Sequence, residues 1–391
     1  MVPDSTDQLH TRPVFVWSAS DVKLAPLTKS SWSGINYSMT VHVRAPKVSA
    51  EINGIIVNSV IHVDITNSGS CKSSRFDLTV STSGNARDNQ WLKSISSYVT
   101  VGITIQFSDI RSGVVSFDGL ADSISVDPIN STAHLVGRDY SSILISSTSQ
   151  ESFYNQTASE IVNEIASRHG FSSNVATTSR MVGSYQNNNY GHLSLSDHSQ
   201  TITEWDLLRH LANSEEFEMF VDGTTLVFTP LGSLSRGNMT LDITSVIGMK
   251  FWKNCPLSDQ PGLTVKSWNS WIGQVFSYTH ESSKTRRDLN ASYPIEGPGS
   301  GIAIIRPNLF PSDAERLAKQ QHALLRQRDL TVQIVMPGET SLKPGDVLAI
   351  TSPAGSFGSN FIVMSMRREF STARGFLQHV HAFANDINPL L

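Results

Sequence analysis

The chain has 391 residues, of which 39% are hydrophobic and only 16% charged, with a formal net charge of −4. So much apolar content with so little net charge excludes a disordered chain. The slightly acidic balance (sequence pI about 6.3) excludes a broadly basic face for strong non-specific nucleic-acid binding. The clusters Lys284–Arg287 and Arg367-Arg368 are short and read as a solvated loop or strand edge. At roughly 150 residues per domain the length predicts two or three domains.

Cys71 and Cys255 lie far apart and outside any CxxC, so neither a zinc site nor a disulfide framework is expected. Two buried thiols fit a cytosol-made protein better than one bridge. Met1 to Trp17 lacks a basic start followed by an apolar run, so no secretory signal is expected. No run of about 18 apolar residues occurs, so no membrane insertion is expected.

Residues 1–145 read as strands. Ser38–Arg44 alternates, with Met39, Val41 and Val43 on one face. Asn53-Gly54 between Ile52 and Ile55 signals a hairpin, because both residue types tolerate positive φ. Phe76–Val80 and Val99–Ile105 alternate again, and Val114–Leu120 reads as a strand with a turn at Asp118-Gly119. Short strands at this spacing predict a barrel or sandwich. Helix is expected only as a turn near Trp91.

Residues 146–232 read as a small α+β insert. Thr157–Glu160 and Thr201–Glu204 each predict a helix start by a capping box. The first helix carries Ile161, Ile165 and Ala166 and stops at Gly170. The second carries Trp205, Leu207, Leu208, Leu211 and Ala212. A hairpin around Asp222-Gly223 follows, and Gly183–Gly191 reads as a loop.

From 233 to 391 strands return. Gly262–Trp268, Gln274–Tyr278, Thr331–Val335, Val347–Ile350, Phe361–Met366 and Phe376–Phe383 read as strands, with a loop over 281–301 and a turn at Lys343–Asp346. A helix over 312–328, with a capping box at Ser312 and Glu315, presents Ala314, Leu317, Ala318, Leu324 and Leu325 to this second β-domain. The fold class is therefore mainly β (α+β): a β-barrel over 1–145, the insert over 146–232, and a second β-barrel over 233–391. No sequence repeat links the two β-domains.

The residues offer no catalytic set. Glycoside hydrolysis needs two carboxylates at a fixed separation. Glu215, Glu216 and Glu218 are the densest group, and they read as a solvated surface. Gly-x-Ser-x-Gly is absent, the spacing of Gly297–Gly301 is wrong for it, and no phosphate-binding loop occurs. His379 and His381 share a strand face, and His192 lies near Asp197-His198. Neither pair has the third or fourth ligand that a metal site wants. No catalytic, cofactor-binding or metal residue is therefore expected, and no cofactor. Trp91, Trp268 and Trp271 are interface candidates, since tryptophan anchors many interfaces; core packing is the commoner role of the residue in a barrel.

Across most of its length the chain resembles the tail-hub family of contractile phages, of the late-control-D and Mu types. That family is related in turn to the N-terminal part of type VI secretion spike proteins. The resemblance rests on Ile52–Gly54, Val115–Asp122, Val136–Tyr140, Thr157–Gly170, Glu204–Leu208 leading to Asp222-Gly223, Arg316–Leu325 and Lys343–Asp346. It implies two tail-tube-like barrels per subunit and a homotrimer that presents a ring of six. The implied partners are the hexameric tail tube protein, the trimeric central spike and other baseplate proteins of the wedge or near the sheath. DNA would pass without specific binding. The implied place is the tail baseplate of a virion, assembled in the bacterial host cytoplasm. No lysozyme, oligosaccharide-binding or β-helix segment follows before Leu391, so cell puncture is expected of a separate chain. A carbohydrate-binding adhesin and, behind it, a tail-borne peptidoglycan hydrolase are the alternatives.

Overall fold

The structure, a computed structural model, describes residues 46–384 apart from 84–88, 96–99, 110–112, 150–152, 154–155, 180, 183–201, 235, 255–261, 271–272, 282–301, 308, 327–329 and 352–359. The expected strand Ser38–Arg44, the loop at 183–191 and, beyond Glu281, the loop at 281–301 lie outside the described residues. So do Cys255, Lys284–Arg287 and Gly297–Gly301. Cys71 is free and half-buried. The protein is mainly β, as expected.

Seven strands build the first unit: β1 (Lys47–Ile52), β2 (Ile55–Val57), β3 (Val60–Ser68), β4 (Arg75–Ser81), β5 (Gly102–Asp109), β6 (Gly113–Asp127) and β7 (Thr132–Asp139), in the order β3-β4-β7-β6-β5-β1-β2. Asn53 and Gly54 take φ of +48° and +83° and turn β1 into β2, as their types predict. Alternation sends Val63, Ile65, Phe76, Leu78, Val80, Ile103, Ile105 and Leu135 inward. Each such side chain contributes about 1.5–3 kcal/mol when fully buried. A short helix, α1 (Gln90–Ile95), brings Trp91 into this core.

The turn expected at Asp118-Gly119 does not exist; β6 runs straight through it. Gly119 serves close approach instead. A Cβ there would lie 2.3 Å from the Arg138 carbonyl oxygen and 3.2 Å from the Phe117 ring.

The insert holds α2 (Ser141–Ser146), α3 (Ala158–Arg168) and α4 (Glu204–Glu215). Its strands are β8 (Thr148–Ser149) with β10 (Ile202–Thr203), and β9 (Ser172–Val175), β11 (Phe217–Asp222) and β12 (Thr225–Pro230) in the order β11-β12-β9. At α3 the Thr157–Glu160 capping box forms. Gly170, at φ +72°, closes the helix, with Phe171 N donating to Ala166 O and Gly170 N to Ser167 O. The second expected box is displaced: Thr203, not Thr201, caps α4 and accepts from Asp206 N. Glu204 thus falls at the first helical position, its carboxylate free for another use.

The second unit contains β13 (Asn238–Asp242), β14 (Gly248–Lys253), β18 (Leu330–Pro337), β19 (Val347–Thr351), β20 (Asn360–Ser371) and β21 (Gly375–Ala384). Between β14 and β18 lies a separate three-stranded sheet, β15 (Gly262–Asn269), β16 (Gln274–Glu281) and β17 (Ile302–Ile305), covered on one face by α5 (Pro311–Arg326). The long helix therefore packs on this small sheet rather than on the strands of the second unit's larger sheet. It begins at Pro311, whose missing N–H costs nothing at a first helical position. Ala314 and Ala318 are buried, Leu317 and Leu325 pack partly, and Leu324 is exposed, off the expected face.

The two units share strand connectivity. In the first, β3 pairs β4, β4 pairs β7, β7 pairs β6 and β6 pairs β5; in the second, β14 pairs β18, β18 pairs β21, β21 pairs β20 and β20 pairs β19. A register shift falls at Ala121/Ser123 in β6 and at Val363/Ser365 in β20. Aligned by register, Phe76 and Gly137 of the first unit correspond to Val332 and Ala382 of the second. The units join edge to edge: β20 beyond its bulge pairs antiparallel with β3, Ser365 opposite Ser68 through Ser371 opposite His62. One sheet of 13 described strands results.

Candidate interaction surfaces

One face of the continuous sheet is buried in two hydrophobic cores; across β4, β3, β20 and β21 the other is polar. Register sets Asp77, Asp64 and Glu369 side by side on β4, β3 and β20. Three like charges in a row repel, and cations on the same face answer them. Arg367 Nε donates to Asp64 Oδ2 at 2.7 Å, and its guanidinium lies 3.7 Å from Glu369. Arg374 is 3.8 Å from Glu369, and His134 Nε2 is 2.7 Å from Asp77. On the neighbouring strands Arg138 makes a two-pronged pair with Asp122 at 2.7 and 2.9 Å. The hydrogen bonds to Asp64 and Asp122 raise Arg367 and Arg138 above the usual arginine range. The face is charged but internally neutralised.

The turn between β3 and β4 is where the first unit, insert and second unit meet. Gly69 lies against β20: a Cβ there would be 2.5 Å from the Met364 carbonyl oxygen. Cys71 N donates to Met219 O at 2.7 Å, and Met219 N to Ser70 Oγ at 3.0 Å, tying β11 to the turn. Buried Asp139 accepts from Ser74 N (2.7 Å), Ser73 Oγ (3.0 Å) and Ser141 N (3.1 Å), and from Ser141 Oγ. Burial outweighs those bonds and holds its carboxyl above the usual range.

Arg368 crosses the seam itself. It is 4% exposed and donates to Asn67 Oδ1 at 2.7 Å and to Leu342 O at 2.6 Å. Burial lowers it to about 10.

Two further ion pairs fasten the insert. Glu204 accepts from Arg168 Nη1 at 2.9 Å and lies 2.5 Å from His169 Nε2, joining the end of α3 to the start of α4. Glu218, expected on a solvated surface, is 7% exposed on β11 and raised by that burial. Arg236 bridges it (3.3 Å) to Gly345 O (2.9 Å), in the Lys343–Asp346 turn of the second unit.

The small sheet has a different open face. Opposite α5, Trp268 and Val275 are register partners, and Ile305 stands on the adjacent strand beside Lys266; the three apolar residues are 51%, 70% and 76% exposed. Of the interface candidates, Trp268 thus lies on an apolar surface. Trp91 is wholly inside the first core and has no face for a partner. Trp271 lies outside the described residues, as do His192, Asp197 and His198. His379 lies 3.9 Å from Glu369, and His381 Nδ1 is 3.3 Å from Gln333. Among the described residues no group of three or more His, Cys, Asp or Glu side chains could hold a metal.

No family model and no curated protein matches the sequence. Solved structures do match. A tail protein from Neisseria meningitidis MC58 shares 14% identity, with a TM-score of 0.61 over 87% of this chain and 97% of that one. The 43 kDa tail protein of prophage MuSo2 from Shewanella oneidensis is similar at 15% identity, with the same TM-score and the same coverage. An E. coli component of the type VI secretion system, described as similar in structure to the T4 tail proteins gp27 and gp5, matches at 13% identity. Its TM-score is 0.52, over 86% of this chain and 76% of that one. The chain thus has the fold of these phage tail and type VI secretion proteins.

Proposed function

We propose that this chain is a non-enzymatic structural hub of a contractile-tail baseplate. Three copies form a ring whose six barrel units meet the hexameric tail tube, while the true threefold accepts the trimeric central spike. The observation that carries this reading is the internal repeat: two units of one connectivity joined edge to edge in a single chain. A subunit with two such units matches a sixfold partner on one side and a threefold partner on the other. The likeness to tail proteins supports the same reading.

In this ring the polar face of the continuous sheet borders the DNA channel. Its cations are held by Asp64, Asp122 and Glu369, which leaves little net field to retain phosphate. Other baseplate proteins pack outside, and the particle is assembled in the host cytoplasm. Negative-stain images of the protein mixed with the spike from its own gene cluster test this: rings with a central hole are expected, and separate single subunits would refute it.

The apolar patch at Trp268 favours one second reading, a carbohydrate-binding adhesin, since exposed aromatics stack on sugars. Saccharide binding on a glycan array that is lost in Trp268→Ala would support it, and a flat array would remove it.

A further inference from the structure

The repeat leaves one edge covered and its counterpart open. In the first unit β3 is flanked by β4 and by β20; its equivalent in the second unit, β14, pairs only with β18 among the described residues. In the second unit the part of β20 beyond the bulge receives β3. Its equivalent, the part of β6 beyond Ala121/Ser123, pairs β7 on one side only, because the pairing with β5 ends at Leu120. Each unit thus offers half of a joint that the chain forms once internally.

We propose that β14 of one copy pairs antiparallel with residues Ser123–Asp127 of a second copy, repeating between subunits the joint that β3 makes with β20. The partner is another copy of this chain, and the contact is head-to-tail. This names the subunit interface of the ring and takes the hub reading only for the closure at three copies. A heterologous contact closes into a ring when its rotation permits.

Transferring the internal register fixes the contacts. Ile65 corresponds to Phe251 and Asp64 to Lys250 through their partners on β4 and β18; Ser365 corresponds to Ser123 through β21 and β7. The internal pairs Arg367–Thr66, Arg368–Ile65 and Glu369–Asp64 then become Ser125–Trp252, Val126–Phe251 and Asp127–Lys250. The substitutions are complementary. Two facing carboxylates, held internally by Arg367, are replaced by a carboxylate facing an ammonium. A buried guanidinium is replaced by Val126 against Phe251. Val126 is 47% exposed and its expected partner Phe251 is half-buried, whereas Arg368 and Ile65 at the formed joint are 4% and 1% exposed. A six-residue edge strand without proline is a ready pairing template.

The test is a chain carrying Ser125→Cys and Trp252→Cys in a Cys71→Ser, Cys255→Ser background. Oxidation is expected to give disulfide-linked species of two and three chains, absent from either single cysteine. In parallel Lys250→Glu, which sets two carboxylates face to face, is expected to shift assembly to roughly tenfold higher concentration. Unaltered assembly of Lys250→Glu without cross-links, beside a trimeric parent, overturns the edge pairing and leaves the hub intact. A parent that never assembles and never cross-links overturns both.

Discussion

The two β-units solve one packing problem with different residues. In the first, the large Phe76 lies against Gly137, where a Cβ would sit 2.0 Å from Leu120 O and 2.7 Å from the Phe76 ring. In the second, the same two positions hold Val332 and Ala382, both buried. A ring on one strand needs the absence of a side chain on the next; a smaller branched residue leaves room for a methyl. Another matched position is Ala133 in the first unit and buried Gln378 in the second, whose Oε1 accepts from Glu339 N at 2.7 Å. Connectivity is kept by register and alternation, while the residues that fill each core compensate one another pairwise.

Breaking that compensation gives the largest expected effect. Gly137→Ala with Phe76 retained should destabilise the first unit by about 3 kcal/mol or more, since neither the backbone oxygen nor the ring can move far. Phe76→Val alone should cost about 1–3 kcal/mol by leaving a cavity. The pair Phe76→Val with Gly137→Ala should cost less than the sum of the singles, measured by urea denaturation. Simple additivity would mean that the register alignment of the two units is mistaken.

Next comes the seam between them. Arg368→Ala should cost about 3 kcal/mol, because Asn67 and the Leu342 carbonyl lose their buried donor. A variant within about 0.5 kcal/mol of the parent would show that the sheet pairing alone holds the units together.

A smaller effect is set by pH. Burial raises Asp139 and Glu218 above their ordinary values of 3.8 and 4.5, so the folded chain holds these protons more tightly than the unfolded one. Their joint contribution therefore falls as pH rises from those ordinary values through the raised folded ones. Asp139→Asn should flatten the stability profile in that window; an unchanged slope would remove Asp139 as its source.

The smallest effect on the continuous sheet is expected from Ala318→Asp in α5. It should unfold the small sheet and helix while the continuous sheet survives, as judged by amide exchange. Collapse of the whole chain would make α5 part of the second core.

Much of this was legible in the sequence. Period-two alternation places β4, β15 and β21, and the turns at Asn53-Gly54 and Asp222-Gly223 form as their residue types predict, because those signals are local. Gly119 was misread as a turn because glycine marks close approach as well as reversal, and only the β7 backbone tells the two apart. The cap at Thr203 was misplaced because two Thr residues stand two apart, each with an acidic residue three positions on. Glu218 looked solvated because its cover, Arg236 and the turn at Gly345, lies far along the chain. The repeat was invisible for the reason given by Phe76 and Gly137: compensating exchanges erase sequence likeness while keeping topology. Trp268 is an interface candidate by residue type alone, and the structure adds that it stands on an exposed strand face.

The most direct test of the hub is the mass of the purified parent protein in solution, by light scattering on a size-exclusion column. A species of three times the 42.8 kDa chain is the expected result. A strict monomer that persists with the spike protein of the same gene cluster present would contradict the account.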